Sequence, residues 1–193
     1  MKMKILINVL ILTICSVSVF AQPKQKSNVL AISSQVVMAL KAKNMNRIAG
    51  FAHPNKGVRF SPYGYIGKND LVFKIKELKT LLRSKKVYLW GEYDESEKPI
   101  KMTFAKYYQS FIYDYDFAKP DKINYNLKQN NGIMINNIAE AYPNGIEVEY
   151  FFDGTEDRMY GSLRLIYEKS GKKWYLVGIV RDTPGIWNEK DLN

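Results

Sequence analysis

One histidine, His53, stands among 193 residues, directly before Pro54. An imidazole can act as a general base near neutral pH. At the end of a helix the same ring instead lends partial positive charge to the carbonyl terminus. Tyr113-Asp114-Tyr115-Asp116 sets two carboxylates close together. Such a pair divides into acid and base when the two surroundings differ, or gives oxygens to a hard cation; after a helix, carboxylates are more often solvated. Asp153, Glu156 and Asp157, beside Gly154, pose the same choice.

Arg59 and Ser61 alternate with Val58 and Phe60. They therefore share one strand face, either toward solvent or into a pocket where the guanidinium would grip a carboxylate or phosphate with two parallel hydrogen bonds. Arg181-Asp182 ends another apolar run, so its arginine could reach Asp116 in an internal ion pair, or a ligand. Fourteen tyrosines, nine phenylalanines and three tryptophans must mostly be core. Tyr63, Tyr65 and Trp90 lie next to glycines and turns, which keeps them as ligand-facing rings. The chain has no glycine-rich phosphate loop, no nucleophile elbow and no paired histidines for zinc. No cofactor and no metal are expected, and any catalysis would rest on carboxylate, tyrosine or histidine.

Those residues need elements to hold them. Val29, Ile32, Val36, Val37 and Leu40 recur at three- and four-residue steps, predicting a helix capped by Ser27 or Asn28. Met45, Ile48, Ala49 and Ala52 predict a second that stops before Pro54. Val58–Ser61 and Leu71–Phe73 read as strands, Ile75–Leu82 as helical, and Val87–Trp90 as an aromatic strand before a polar turn. Thr103 caps a helix with an aromatic stripe at Phe104, Tyr107, Tyr108 and Phe111. The Asn-, Lys- and Asp-rich stretch from Ala118 to Gly132 reads as a long irregular connection. Four strands follow: Ile138–Tyr142, Ile146–Phe152, Ser162–Glu168 and Trp174–Arg181. In the second, Ile146, Val148, Tyr150 and Phe152 share one face and Glu147 and Glu149 the other, predicting a sheet covered on one side.

Met1 to Lys4 is a short cationic head, Ile5 to Val19 an interrupted apolar stretch, and Val19-Phe20-Ala21 a processing site. This is the order of a secretory signal peptide, too short to span a bilayer comfortably. The expectation is a signal peptide over residues 1–21 and a single domain over 22–193, exported to the periplasm or secreted. Leu12-Thr13-Ile14-Cys15 offers a competing lipoprotein reading, against which stands Ile14, too large for the position before a lipidated cysteine. Removing the leader takes away Cys15, the only cysteine, so no disulfide is available. It also removes Lys2 and Lys4 from a formal charge of +10. Spread basic charge mainly confers solubility. In an exported protein its counterparts are anionic envelope polymers or head groups rather than nucleic acid.

Helices first and an antiparallel run last make an α+β arrangement. The segment Val37–Pro54, with Leu163-Arg164-Leu165 and Trp174-Tyr175-Leu176-Val177-Gly178, resembles the nuclear transport factor 2-like superfamily. His53-Pro54-Asn55-Lys56-Gly57-Val58-Arg59-Phe60-Ser61-Pro62 resembles a stretch of uncharacterised exported bacterial proteins of that shape. The resemblance implies a cone in which N-terminal helices pack on a curved, mostly antiparallel sheet with an open pocket between them. Members include enzymes, binding modules and dimerisation domains, so fold alone does not assign function. The leading expectation is a binding module for a small or polymeric ligand, of anionic character, contacted by Arg59, Tyr63, Trp90 and Arg181. The alternatives are an isomerase or hydrolase using His53 or Asp114 as base, with Asp116 the further candidate, and a domain that associates through an open sheet face, as in a homodimer. No nucleic acid partner and no transmembrane anchor are expected.

Overall fold

Apolar residues on one side make α1, Ser18–Lys41, a long helix that buries Val29, Val36, Val37 and Leu40. The computed structural model describes residues 18–94, 96–126, 136–156 and 159–183. Ser27 and Asn28 do not cap this helix: the Gln and Lys residues before them are good helix formers, and the helical backbone runs on through them. Lys43 turns the chain with positive φ, and Asn44 then caps α2, Met45–Phe51, accepting from the Arg47 backbone N–H at 3.0 Å. The break at Asn44 and the stop before Pro54 agree with the sequence pattern.

The main sheet has six strands in the order β2-β1-β8-β7-β6-β5: β1 Val58–Ser61, β2 Leu71–Phe73, β5 Lys122–Tyr125, β6 Ile146–Phe152, β7 Gly161–Ser170 and β8 Lys173–Asp182. Every pairing is antiparallel except that of β1 with β8. A register shift between Ile166 and Tyr167 puts Val177 and Gly178 on the same side and bends the β7–β8 pair. At the entry to β1, Gly57 has φ +77°, and a Cβ there would lie 2.4 Å from the Phe73 carbonyl oxygen. A separate ribbon, β3 Val87–Glu92 with β4 Pro99–Thr103, lies over α4, Phe104–Tyr107, which Thr103 caps and a π-helical turn Tyr108–Ile112 continues. Ile75–Leu82 divides into α3, Ile75–Leu78, and a 3-10 turn, Leu81–Arg83. The protein is α+β, as expected, with its helices against a mostly antiparallel sheet.

Three expectations are corrected. Ile138–Ala141 is a helix, α5, because its short apolar run fits either period. The irregular stretch after Ala118 contains strand β5, paired to β6 despite its Asn and Lys content. The sheet is covered on both faces. Ile146, Val148, Tyr150, Leu163, Leu165 and Leu176 meet the helices in the main core, and Ile166, Val177 and Val180 meet Ile66, Ile138 and Tyr142 in a second one. Glu147 and Glu149 are buried on that far side, so the face read as open is occupied. Residues 1–17, with Cys15 and most of the leader, lie outside the described residues. Among the described residues, no helix is long and apolar enough to cross a membrane.

Candidate functional site

One stripe of α1, Lys26, Leu30, Ser34, Val37 and Met38, faces the sheet edge formed by β5. Across from it stand Ile123 and Tyr125 of β5 and Tyr150 of β6, enclosing a cleft of about 590 Å³. Ile123 and Met38 leave about half of their surface exposed at its mouth, and the Lys26 ammonium sits 5.6 Å from the centre of the Tyr125 ring. The register pairs Ile123 with Tyr150 and Tyr125 with Val148, which places these side chains on the helix side of the sheet. Behind Tyr150, in the core, Ser33 of α1 lies beside the phenols of Tyr150 and Tyr167; burial raises both phenol pKa values and the Ser33 hydroxyl opposes the rise. Neither the Ser33 Oγ nor the Tyr167 hydroxyl completes a hydrogen bond in this geometry. Of these three residues, Tyr150 is the one that lines the cleft.

None of the four contacts expected from sequence lines the cleft. Trp90 is buried, stacked on Tyr107 with ring centres 3.7 Å apart, and its indole N–H donates to the Met102 carbonyl at 3.0 Å. Tyr63 is buried edge-on to Phe111. Arg181 is wholly buried on the helix side. Its Nη2 donates to Asp114 Oδ2 at 2.7 Å and its Nε to Oδ1 at 3.0 Å, while Nη1 donates to the carbonyls of Ser162 and Asp182. Tyr115 and Phe117 stack on the guanidinium at 5.0 and 5.4 Å. An internal ion pair was one reading of Arg181, but its partner is Asp114, not Asp116. Asp116 instead takes Lys41 and the Tyr113 hydroxyl, which lower its pKa.

Arg59 lies on the far face, in a different recess, with Ser61 on the same side as the alternation predicts. Ser61 donates to Asp70, which also accepts from the Gly67 N–H at 3.0 Å. Burial raises the Asp70 pKa against those two bonds. His53 is buried after α2; its Nδ1 accepts from the backbone N–H groups of Asn55 and Lys56, and Tyr175 packs edge-on at 5.7 Å. That ring closes a turn rather than opening onto the cleft. Tyr65 is exposed, Asp153 pairs with Lys122, and Asp157 lies outside the described residues.

No family model matches the chain, and no curated protein matches it. Among solved structures, a chain whose name carries the abbreviation NTF2 and five substitutions aligns over 82% of this chain and 98% of its own, at 10% identity and a TM-score of 0.36.

The residues that sequence reading missed lie mainly on the far face. Arg164 is buried among three carboxylates: Nη1 reaches Glu147 at 2.5 Å, and Nη2 reaches Glu149 and Asp182, each at 2.8 Å. Burial raises the pKa values of Glu147 and Asp182, and Arg164 counters both rises. The signal was present in the register, because Glu149 stands directly opposite Arg164 in the β6–β7 pair. The cleft residues of α1 were legible as a helix face but not as a wall, since β5, which they oppose, was not read as a strand.

Proposed function

We propose that this chain is an exported binding module whose ligand enters the cleft between α1 and the β5–β6 edge. The carrying observation is the cleft itself: apolar walls from Leu30, Val37, Met38 and Ile123, with Lys26, Ser34 and Asn124 adding a few polar groups. Pockets of this size and mixed character suit small molecules with an apolar body and a few polar groups. The Lys26 ammonium at the mouth favours a ligand with an anionic end.

Export rests on the leader and on one backbone feature. Pro23 lies inside α1 as the helix runs from Ser18. A proline in a helix interior clashes with the carbonyl four residues earlier, whereas in the first turn it is well tolerated. Cleavage after Ala21 removes that carbonyl and leaves Pro23 at the start of the helix. Intact-mass measurement on the exported protein should give a chain starting at Gln22; a retained leader or an added lipid counts against the reading.

The cleft is tested with phenylnaphthylamine, an uncharged apolar dye that brightens in apolar sites. Ser34 is exposed on the cleft wall, so Ser34→Trp fills the space without entering the core. Dye affinity should fall about tenfold or more in Ser34→Trp and stay unchanged in Arg59→Gln. Equal binding by Ser34→Trp and the unmodified protein sinks the assignment.

A further inference from the structure

The recess that contains Arg59 is separate from the cleft. It lies on the opposite face of the sheet and at the β1–β8 end, away from β5. Its volume is about 500 Å³, and its walls combine Lys56, Arg59 and Lys68 with Tyr142 and the apolar Val72 and Val177. Arg59 is fixed there, its Nη1 donating to the Gly67 carbonyl at 3.1 Å, while the Tyr142 hydroxyl donates to the Val177 carbonyl at 3.5 Å. A guanidinium carries five N–H donors, so donors remain after the Gly67 carbonyl is served. The loop holding Gly67 is itself tied down by Asp70, through Ser61 and the Gly67 N–H, and by Asn137, whose amide bonds both the N–H and the carbonyl of Ile66. Of the local carboxylates, Asp70 is engaged in that loop and Glu168 is paired with Lys56. The Asp70 charge still acts on Arg59, so the three cations Lys56, Arg59 and Lys68 stand against two carboxylates and leave the mouth an excess of one positive charge, with Lys68 at its exposed rim.

We propose that this recess is a second binding site, for an organic oxyanion: a small molecule carrying a phosphate or carboxylate on a short apolar body. Arg59 would hold the oxyanion through its planar fork. Lys68 adds charge at the rim, and Val72 and Val177 take the body. The space is too large for the anion alone, so the apolar part contributes to affinity. The site stands independently of the cleft and of its ligand.

The experiment is a titration of the isotope-labelled protein, in phosphate-free buffer of low ionic strength, with phenyl phosphate, benzoate and inorganic phosphate, followed by amide NMR shifts. Phenyl phosphate or benzoate should bind more tightly than inorganic phosphate and move the amides of Gly67 and Tyr142, not those of Leu30 and Ile123. Arg59→Gln should weaken the better probe by about ten- to a hundredfold, and Arg59→Lys, which keeps the charge and loses the fork, should weaken it too. Lys68→Gln, at an exposed position, should weaken it about two- to fivefold and reduce its salt dependence. Each variant's melting curve verifies folding. If Arg59→Gln fails to fold, Arg59→Lys and Lys68→Gln decide. The proposal is overturned if no probe binds, if shifts map to the cleft, or if folded Arg59 and Lys68 variants bind as the unmodified protein does.

Discussion

Replacing Asp114 by Asn isolates the contribution of one buried ion pair. Arg181 has no exposed surface and Asp114 only 4% of its side chain, so neither charge can return to water while the fold persists. Asn retains the shape but supplies one neutral oxygen in place of a carboxylate that meets Nε and Nη2 together. The guanidinium keeps its bonds to the Ser162 and Asp182 carbonyls and its aromatic neighbours, none of which carries a negative charge on the interacting atoms. Leaving a buried charge without its counter-ion costs about 3–5 kcal/mol. At about 2–4 °C per kcal/mol for a domain of this size, the melting midpoint should fall by about 6–20 °C. Asp116→Asn is the control: its Lys41 partner is 42% exposed, and solvent screens the pair, so the midpoint should move little. Urea unfolding at pH 7, with unchanged denaturant dependence in both variants, gives the comparison. Equal losses in Asp114→Asn and Asp116→Asn would refute the claim that Arg181 is held by its buried partner.

Two further outcomes follow from other parts of the fold. Burial raises the Glu147 and Asp182 pKa values above their ordinary 4.5 and 3.8. The folded state therefore binds more protons than the unfolded chain just above those values, and their contribution to stability declines as pH rises through that window. Glu147→Gln removes its share, so the urea midpoint should change less between about pH 4.5 and 7 than in the unmodified protein; identical slopes would count against the assignment. Glycines in different surroundings should respond with opposite signs. Gly50 lies inside α2, and a Cβ added there would meet nothing within 4 Å, so Gly50→Ala should stabilise by about 0.5–1 kcal/mol. A Cβ on Gly161 would lie 2.7 Å from two nitrogens of the anchored Arg181, so Gly161→Ala should destabilise by about 1–3 kcal/mol. Calorimetry on both variants tests the sign.

Strong local periodicity was legible. The α1 and α2 faces, the Thr103 cap and the strands β6 to β8 follow from spacing and turn residues, because each depends on near neighbours in sequence. Ile138–Ala141 did not follow, since four residues cannot separate a period of two from one of 3.6. Nor did β4 and β5, whose residues become strands through pairing with β3 and β6 rather than through their own composition. The cleft depends on that pairing. Of the expected contacts, Trp90 stood out by its place beside Gly91 and a turn and Arg181 by its charge, and the fold uses both internally: an indole N–H on Met102 and a guanidinium on Asp114.

The far face explains why alternation misjudged the sheet. Polar residues at every second position ordinarily mark a solvated side, yet burial is tolerated when the polar groups satisfy one another. Arg164 draws one carboxylate from β6 at position 147, another at 149, and a third from the end of β8 at Asp182. Three adjacent strands thus contribute to one charge cluster, while Ile166, Val177 and Val180 on the same face form an apolar patch beneath Ile66 and Ile138. That double covering has a functional consequence. With both faces closed over most of their area, recesses survive where the covers stop: beside α1 at the β5 edge, and between the Gly67 loop and Tyr142 near β1. The same sheet therefore separates a mainly apolar cleft from a basic recess, and a substitution confined to one should leave binding at the other intact.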